Sequence, residues 1–316
     1  MDYRNIIGFL AGKVKPGPLS LTGAAFPGYS TYIEVRKGVS MARFDILFFD
    51  LDGTLLGPDH ATISPRTLEA LAAARQAGVR LSFATGRCLG LIEGIARQQP
   101  FDYAITSNGA AIYDLKANTQ LFHHPFSPEE ARQACLLADQ YVDFFELFVN
   151  GEILLTEKAH AMTATRALPP WHKRYFWRSS LPPIGSISQF FDQGAKGLEK
   201  INLVECDPDA VAALRAELEK LGLFEVTSSI GSKALEVSPK GCTKGLGIRW
   251  LCQRIGIDIA RAAAFGDGGN DVEMLRTVGC GVAMGNAGEA VKAAADCVTA
   301  PYDADGIALF IEQYVL

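Results

Sequence analysis

Asp50-Leu51-Asp52-Gly53-Thr54-Leu55 places two carboxylates two residues apart, directly after the apolar run Ile46–Phe49. Alternate residues of an extended segment point to the same side, so Asp50 and Asp52 can converge on one small site. Two close carboxylates repel, and a cation between them relieves the repulsion, which makes a hard metal ion such as Mg²⁺ the natural occupant. The same residues also read as a plain surface turn, since Asp and Gly are common in turns. They do not read as an EF-hand calcium loop. Counted from Asp50, its fifth, sixth and twelfth positions would be Thr54, Leu55 and Ala61, where that loop needs an acceptor, glycine and glutamate.

Three further segments carry residue types suited to anions or cations. Ser82-Phe83-Ala84-Thr85-Gly86-Arg87 ends an apolar run with the hydroxyl of Thr85 and then Gly86, whose backbone can approach an anion closely. Lys240-Gly241-Cys242-Thr243-Lys244-Gly245 puts a cation at the start of a helix, where free N–H groups already favour phosphate. A lysine there is otherwise electrostatically disfavoured, so an anionic partner explains it; a solvated lysine is the plainer alternative. Phe265-Gly266-Asp267-Gly268-Gly269-Asn270-Asp271 follows another apolar run, and Asp267 and Asp271 can add two carboxylates to the cation site. This is not the dinucleotide fingerprint G-x-G-x-x-G, which needs glycine where Asp271 stands, and no G-x-x-x-x-G-K-[ST] phosphate loop occurs.

The elements that must position these residues follow a strand–helix rhythm. Ile46 to Phe49 suits a strand buried on both faces, and Ser64-Pro65 opens a helix to Gln76, which Gly78 ends. A strand at Val79 to Ala84, a helix at Leu89 to Arg97 and a strand at Tyr103 to Thr106 complete two crossovers of the kind that build a parallel sheet. From about Ala117 to Ser232 the rhythm breaks into hairpin-like pieces such as Glu146 to Val149, Asn150-Gly151 and Glu152 to Leu155, the pattern of an inserted α+β unit. Within the insert a strand is expected near Ile201 to Val204, a helix from Asp209 to Lys220 and a strand near Phe224 to Thr227. Alternation then returns with a helix at Lys244 to Ile255 and strands at Ala262 to Phe265, Cys280 to Ala283 and Cys297 to Thr299. The expected organisation is a core of residues 41–116 and 233–316, split by an insert at 117–232. Residues 1–40, punctuated by proline and glycine, read as a flexible extension, with an edge strand around Thr31 to Val35 as the alternative. The segments at Asp50, Thr85 and Asp267 each fall at the carboxyl end of a strand, where open parallel sheets hold their ligands.

Composition narrows the function classes. The chain has 316 residues, of which 48% are hydrophobic and 21% charged, ordinary values for a folded globular protein. A net charge of −5, from 30 basic and 35 acidic side chains, offers no sequence-wide basic excess for nucleic acid, though a local pocket for one phosphate remains open. Seven scattered cysteines without a C-x-x-C pair fit a reducing cytoplasm rather than a zinc or redox site. No eighteen-residue apolar run is present to span a membrane, and the stretch from Ile6 to Gly12 lacks the cleavage signal of a secretory leader.

In order and spacing, D-x-D-G-T-L at Asp50 to Leu55, Thr85 at a strand end, Lys244, and G-D-x-x-N-D at Gly266 to Asp271 resemble the haloacid dehalogenase superfamily of phosphohydrolases. The long insert, Ala84-Thr85-Gly86-Arg87, Ser107-Asn108-Gly109-Ala110 and Gly281-Val282-Ala283-Met284-Gly285-Asn286-Ala287 are similar to its Cof-type subgroup. The resemblance covers about Ala42 to Leu316 and is weak in the insert. It implies a doubly wound, Rossmann-like α/β core with an inserted α+β cap, and a Mg²⁺-dependent phosphatase acting on a small phosphorylated substrate. By position it makes Asp50 the nucleophile and Asp52 the general acid and base. It assigns the metal to Asp50, the backbone carbonyl of Asp52, and Asp267. Phosphate binding falls to Thr85 with Gly86, and to Lys244, with Lys240 as the fallback. Asn270 and Asp271 match positions that contact phosphate or support the metal. A phosphomutase would share the nucleophile, a non-catalytic phosphometabolite sensor would not need both Asp50 and Asp52, and a dehydrogenase lacks its fingerprint. The insert residues His123, His124, Trp171, His172, Lys173 and Arg174 are candidates for substrate choice, beside ordinary core or surface roles.

Overall fold

The computed structural model describes residues 19–21, 33–36, 43–168, 170–178, 181–228 and 231–316, and most of the expected N-terminal extension, with Met41, lies outside them. In chain order the first strands are β1 (Leu19–Leu21), β2 (Glu34–Arg36), β3 (Ile46–Phe49), β4 (Arg80–Ala84), β5 (Tyr103–Thr106), β6 (Ala111–Asp114) and β7 (Thr119–His123). Then come β8 (Glu146–Val149), β9 (Glu152–Leu154), β10 (Leu198–Leu203), β11 (Phe224–Thr227), β12 (Leu235–Pro239), β13 (Ala262–Gly266), β14 (Cys280–Ala283) and β15 (Cys297–Val298). They form a ten-stranded sheet, β1-β2-β15-β14-β13-β3-β4-β5-β6-β7, and a five-stranded antiparallel sheet, β11-β12-β10-β8-β9.

From β15 to β5 every neighbouring pair of the large sheet is parallel. Its central strands are apolar throughout because both faces are covered. Leu47 and Phe49 of β3 pack with Phe83 and Phe265 against the helices Pro65–Gln76 and Gly306–Tyr314. Ile46 and Phe48 point the other way, toward Ile248 and Leu251 of the helix Lys244–Ile255 and Met274 of Val272–Thr277. The sheet is therefore doubly wound, as the sequence reading expects. Local signals set the helix ends: Ser64 accepts a hydrogen bond from the Thr67 N–H ahead of Pro65, and Gly256 closes Lys244–Ile255 in the left-handed conformation.

The second sheet shows the period-two pattern of an antiparallel layer with two unlike faces. Leu147, Val149, Ile201, Leu203, Leu235 and Val237 pack under the helices Pro128–Tyr141 and Pro208–Leu221. Glu146, Phe148, Asn202, Glu236 and Ser238 alternate with them, yet are also buried.

Sheet membership changes later than the 117 and 233 boundaries of the sequence reading. β7 pairs with β6 in the large sheet, because Asp114 Oδ1 accepts from the N–H groups of Lys116 and Ala117, and Asn118 takes φ +52° to close a hairpin. β12 pairs with β10 and β11 in the small sheet. Residues 34–36 form a strand, as in the alternative reading around Thr31 to Val35, but not at the edge: β2 pairs antiparallel with β15 on one side and β1 on the other, and Ile33 and Val35 are buried in the core. Among the described residues no helix is long and apolar enough to cross a membrane.

Candidate active site

β3, β4 and β13 end side by side at one edge of the large sheet, and each delivers one of the expected motifs. Asp50 follows β3, its N–H donating to the carbonyl of Phe265. The chain then turns at Gly53, whose φ of +75° and contact with Asp267 leave no room for a side chain: a Cβ would collide with Asp267 Oδ2. Lys244, in the first turn of Lys244–Ile255, lies fully buried with Nζ 2.6 Å from Asp50 Oδ1 and 2.7 Å from Asp271 Oδ1. Asp271 Oδ2 accepts from the N–H groups of Asp267 and Gly268, which folds the Asp267–Asp271 loop around it. Asp267 accepts from Thr54 Oγ1 at 2.9 Å and from Asn286 Nδ2 at 3.1 Å. Asn286 also donates to the Gly53 carbonyl, tying the first and last motifs together.

Asp50, Asp267 and Asp271 each bring a carboxylate oxygen within 4.8 Å of the others. An all-oxygen, strongly negative set of this kind suits a hard divalent cation. Its electrostatics point the same way. Burial, then Asp271 and Asp52, push the Asp50 carboxyl well above its ordinary range, with Lys244 offsetting part of the effect. Burial and the charges of Asp271 and Asp52 push Asp267 up to about 6, against its Thr54 hydrogen bond and the Lys244 charge. Burial alone would lower the Lys244 ammonium, but Asp271 and Asp50 outweigh it and hold the group charged. The set is held together by one lysine while carrying more negative charge than that lysine balances.

Asp52 stands apart from this cluster. Arg87 grips its carboxylate with two donors, Nε to Oδ2 at 2.9 Å and Nη2 to Oδ1 at 2.5 Å, and His60 Nδ1 lies 2.7 Å from Oδ1. Burial would raise this carboxyl, but the Arg87 charge and the Arg87 and His60 hydrogen bonds hold it well below the usual range. The sequence reading quotes Arg87 at the end of Ala84-Thr85-Gly86-Arg87 without giving it a role, and it does not name His60. Arg87 follows Thr85-Gly86 directly, and that proximity is the one signal that could have found it.

Thr85 and Gly86 sit just past β4, with Thr85 Oγ1 accepting from the Arg87 N–H. Asn270 donates to Asn108 Oδ1 at 3.3 Å, and Asn108 and Ser107, both with positive φ, reach the small sheet through Glu236 and Glu199. Lys240 is exposed and faces Glu225 at 4.0 Å, so of the two lysines Lys244 is the one inside the cluster. Among the candidates in the insert, His123 Nε2 lies 3.3 Å from Glu199 and His172 Nε2 lies 2.8 Å from Glu146. His124 stacks on Phe122, while Lys173 is half-buried. The side chains of Trp171 and Arg174 lie outside the described residues.

Comparison with known proteins gives a consistent picture. Residues 47–311 match the family described as haloacid dehalogenase-like hydrolase. The HMP-PP phosphatase of Escherichia coli O6:H1 is 31% identical over 249 residues, covering 78% of this chain and 85% of that protein. The pyridoxal phosphate phosphatase YbhA of Escherichia coli is 30% identical over 277 residues, covering 86% and 98%. Among solved structures, the subclass IIB sugar phosphatase BT4131 superposes with a TM-score of 0.72 at 28% identity, covering 85% of this chain and 98% of its own.

Proposed function

The chain belongs to the haloacid dehalogenase-like hydrolases of the Cof-type subgroup and is a phosphoric monoester hydrolase, and from that premise we propose that it cleaves small phosphorylated metabolites through a phosphoryl group carried on Asp50, with Mg²⁺ as cofactor. The observation that carries this reading is the Asp50 carboxylate itself, held at a strand end by Lys244 inside a cluster with Asp267 and Asp271. By their names the relatives act on HMP-PP, pyridoxal phosphate or sugar phosphates, so a sugar or cofactor-type phosphate in the cytoplasm is the substrate class.

Phosphate-monoester hydrolysis needs up to about 10²¹-fold acceleration, so charge neutralisation and positioning must be extensive. Mg²⁺ bound by Asp50, Asp267 and the Asp52 carbonyl, with Asp271 in support, would offset the charge that gathers between nucleophile and phosphoryl oxygens. Lys244 holds Asp50 in one orientation and supplies a fixed positive charge beside the attacked phosphorus. Thr85, the Gly86 backbone and Asn270 take the non-reacting phosphoryl oxygens. Asp52 serves the leaving oxygen and then the hydrolytic water. In the Arg87 grip it is an ionised acceptor; leaving that grip removes the cation that keeps its proton affinity low, and so makes it a competent acid. The small sheet and its helices act as the cap that keeps bulk water out.

Phosphate release from a panel of phosphometabolites is expected to require Mg²⁺. Protons compete with the metal for Asp267 and Asp50, both raised, so the half-saturating Mg²⁺ concentration should climb as pH falls through about 6. Undiminished turnover after exhaustive chelation would refute the cofactor.

Asp52→Asn should lower kcat by about 10²- to 10⁴-fold on alkyl phosphates. With an aryl phosphate, whose leaving group needs little protonation, the first step survives and the second is slow. A burst of phenol equal to the enzyme concentration should precede slow turnover. Linear kinetics at the wild-type rate would remove Asp52 from the reaction.

A further inference from the structure

The turn between β5 and β6 takes an unusual backbone course to place one buried amide, that of Asn108. Ser107, Asn108 and Gly109 adopt φ of +50°, +56° and +101° in succession, a run that glycine enters freely and asparagine tolerates better than most. A Cβ on Gly109 would collide with the Thr243 carbonyl, so the turn is pressed against the start of the helix Lys244–Ile255. Its backbone also lies along the Thr85 loop. The Ser107 N–H donates to the Arg87 carbonyl at 2.9 Å, and the Asn108 N–H donates to the Thr85 carbonyl at 3.1 Å.

The Asn108 side chain stands between two further polar groups. Its Nδ2 donates to Glu236 Oε2 at 2.9 Å, and its Oδ1 accepts from Asn270 Nδ2 at 3.3 Å. Glu236 Oε2 also accepts from Thr227 Oγ1 at 3.4 Å, and Lys200 Nζ lies 2.8 Å from Oε1. Burial would raise the Glu236 carboxyl, but the Lys200 charge and hydrogen bond, with that of Asn108, outweigh it and keep the group ionised. An ionised carboxylate only accepts, so Asn108 must turn its NH₂ toward Glu236 and its oxygen toward Asn270. Asn270 must then answer with its own NH₂. We infer, resting on the phosphatase reading, that Asn108 is a positioning residue through which Glu236 of the small sheet fixes which end of the Asn270 amide meets the phosphoryl group.

The two ends of that amide have opposite sign. With one N–H of Asn270 given to Asn108, the second N–H sits on the same nitrogen and can donate to a phosphoryl oxygen. Reversed, the amide would set its own oxygen against the anion. A neutral amide at position 236 would not decide between the two states, because it can donate or accept, whereas a carboxylate can do only one. The charge therefore has a task beyond joining the two sheets, for which a buried ion pair generally serves no better than apolar packing. Glu236 belongs to β12, and Lys200 of β10 donates to the Gly86 carbonyl at 2.6 Å. The sign of the Asn270 amide is thus set only while the small sheet is seated on the loops after β4 and β5.

The test follows p-nitrophenyl phosphate turnover by full-length protein with Mg²⁺, and its inhibition by inorganic phosphate. Asn270→Ala sets the scale and should weaken phosphate by about 10-fold, the loss of one hydrogen bond to a charged group. Asn108→Gly removes the amide while suiting the left-handed backbone, and Glu236→Gln keeps the side chain's shape while removing its fixed sign. Each should raise KM and the phosphate inhibition constant together by about 3- to 10-fold, with kcat little changed. In the Asn270→Ala background neither should add more than about twofold, since the group it orients is gone. Full losses that persist in that background, or single variants that bind phosphate as wild type does, would reduce Asn108 and Glu236 to a structural role and overturn the inference. Unchanged phosphate binding in Asn270→Ala would leave the relay without a target and overturn it too. A wild type that neither cleaves the ester nor binds phosphate would overturn the phosphatase reading itself.

Discussion

Asp50→Asn should lose essentially all phosphate release and gain stability at the same time. Removing the nucleophile leaves an amide of the same shape that cannot displace an alkoxide at phosphorus, a loss of roughly 10⁵- to 10⁶-fold in kcat on the scale of other nucleophile deletions. The stability change has the opposite sign, because burial, Asp271 and Asp52 hold the Asp50 carboxyl well above its ordinary range. A carboxyl whose folded value is raised stabilises the fold below its unfolded value, near 4, and that contribution is lost as pH rises through the folded value. At neutral pH the ionised Asp50 is therefore a burden on the fold, and Asn removes it while Lys244 keeps Asp271 as partner. Urea unfolding should show a midpoint at or above wild type at pH 7 to 8, with the difference shrinking toward about pH 4. Turnover above about one per cent of wild type, or a trapped phosphoryl group on any residue but Asp50, would end the proposed mechanism.

Parts of this arrangement were open to reading in the sequence because they obey local rules. Ile46–Phe49 and Ala262–Gly266 are unbroken apolar runs followed at once by aspartate, which signals a strand buried on both faces ending at a ligand site. The helix Lys244–Ile255 begins at Thr243 and stops at Gly256, both strong end signals. The hidden parts depend on partners far away in the chain. Leu235-Glu236-Val237-Ser238 alternates as an antiparallel strand should, unlike the continuous runs of the core, yet nothing local says that it lies beside β10 rather than the core strands. The bidentate hold of Arg87 on Asp52 spans 35 residues, and the Lys200 contact with Gly86 spans 114. Ser107 and Asn108 take left-handed backbone conformations that their types permit but do not demand, so the bridge they make between the two sheets left no trace in composition. Composition and spacing thus locate the carboxylates and Lys244, whereas the contacts by which Arg87 sets the charge state of Asp52 become visible only in the fold.

Lys244→Met should abolish activity as Asp50→Asn does, but with the reverse effect on the fold. The buried ammonium is 2.6 Å from Asp50 and 2.7 Å from Asp271, and without it three carboxylates, counting Asp267, face one another in a space from which water is largely excluded. Deleting one partner of a buried ion pair costs about 3–5 kcal/mol, since the surviving charges keep their desolvation penalty and lose its compensation. Methionine fills much of the lysine stem's volume, so the loss is electrostatic rather than a cavity. The sign with pH follows from the direction already present at Asp50 and Asp267: carboxyls raised in the folded state are tolerated when protonated and costly when ionised. The urea midpoint of the variant should therefore fall furthest below wild type near pH 8 and recover as pH drops toward 5. Added Mg²⁺ should restore part of the midpoint by replacing the missing charge, without restoring turnover, because the cation would then occupy the cluster with Asp50 no longer held in line. Combining Lys244→Met with Asp50→Asn should lie closer to wild-type stability than Lys244→Met alone, a coupling that independent sites would not show. Additive changes in the double variant, or a deficit that does not vary with pH, would mean that Lys244 holds the site by packing and not by charge.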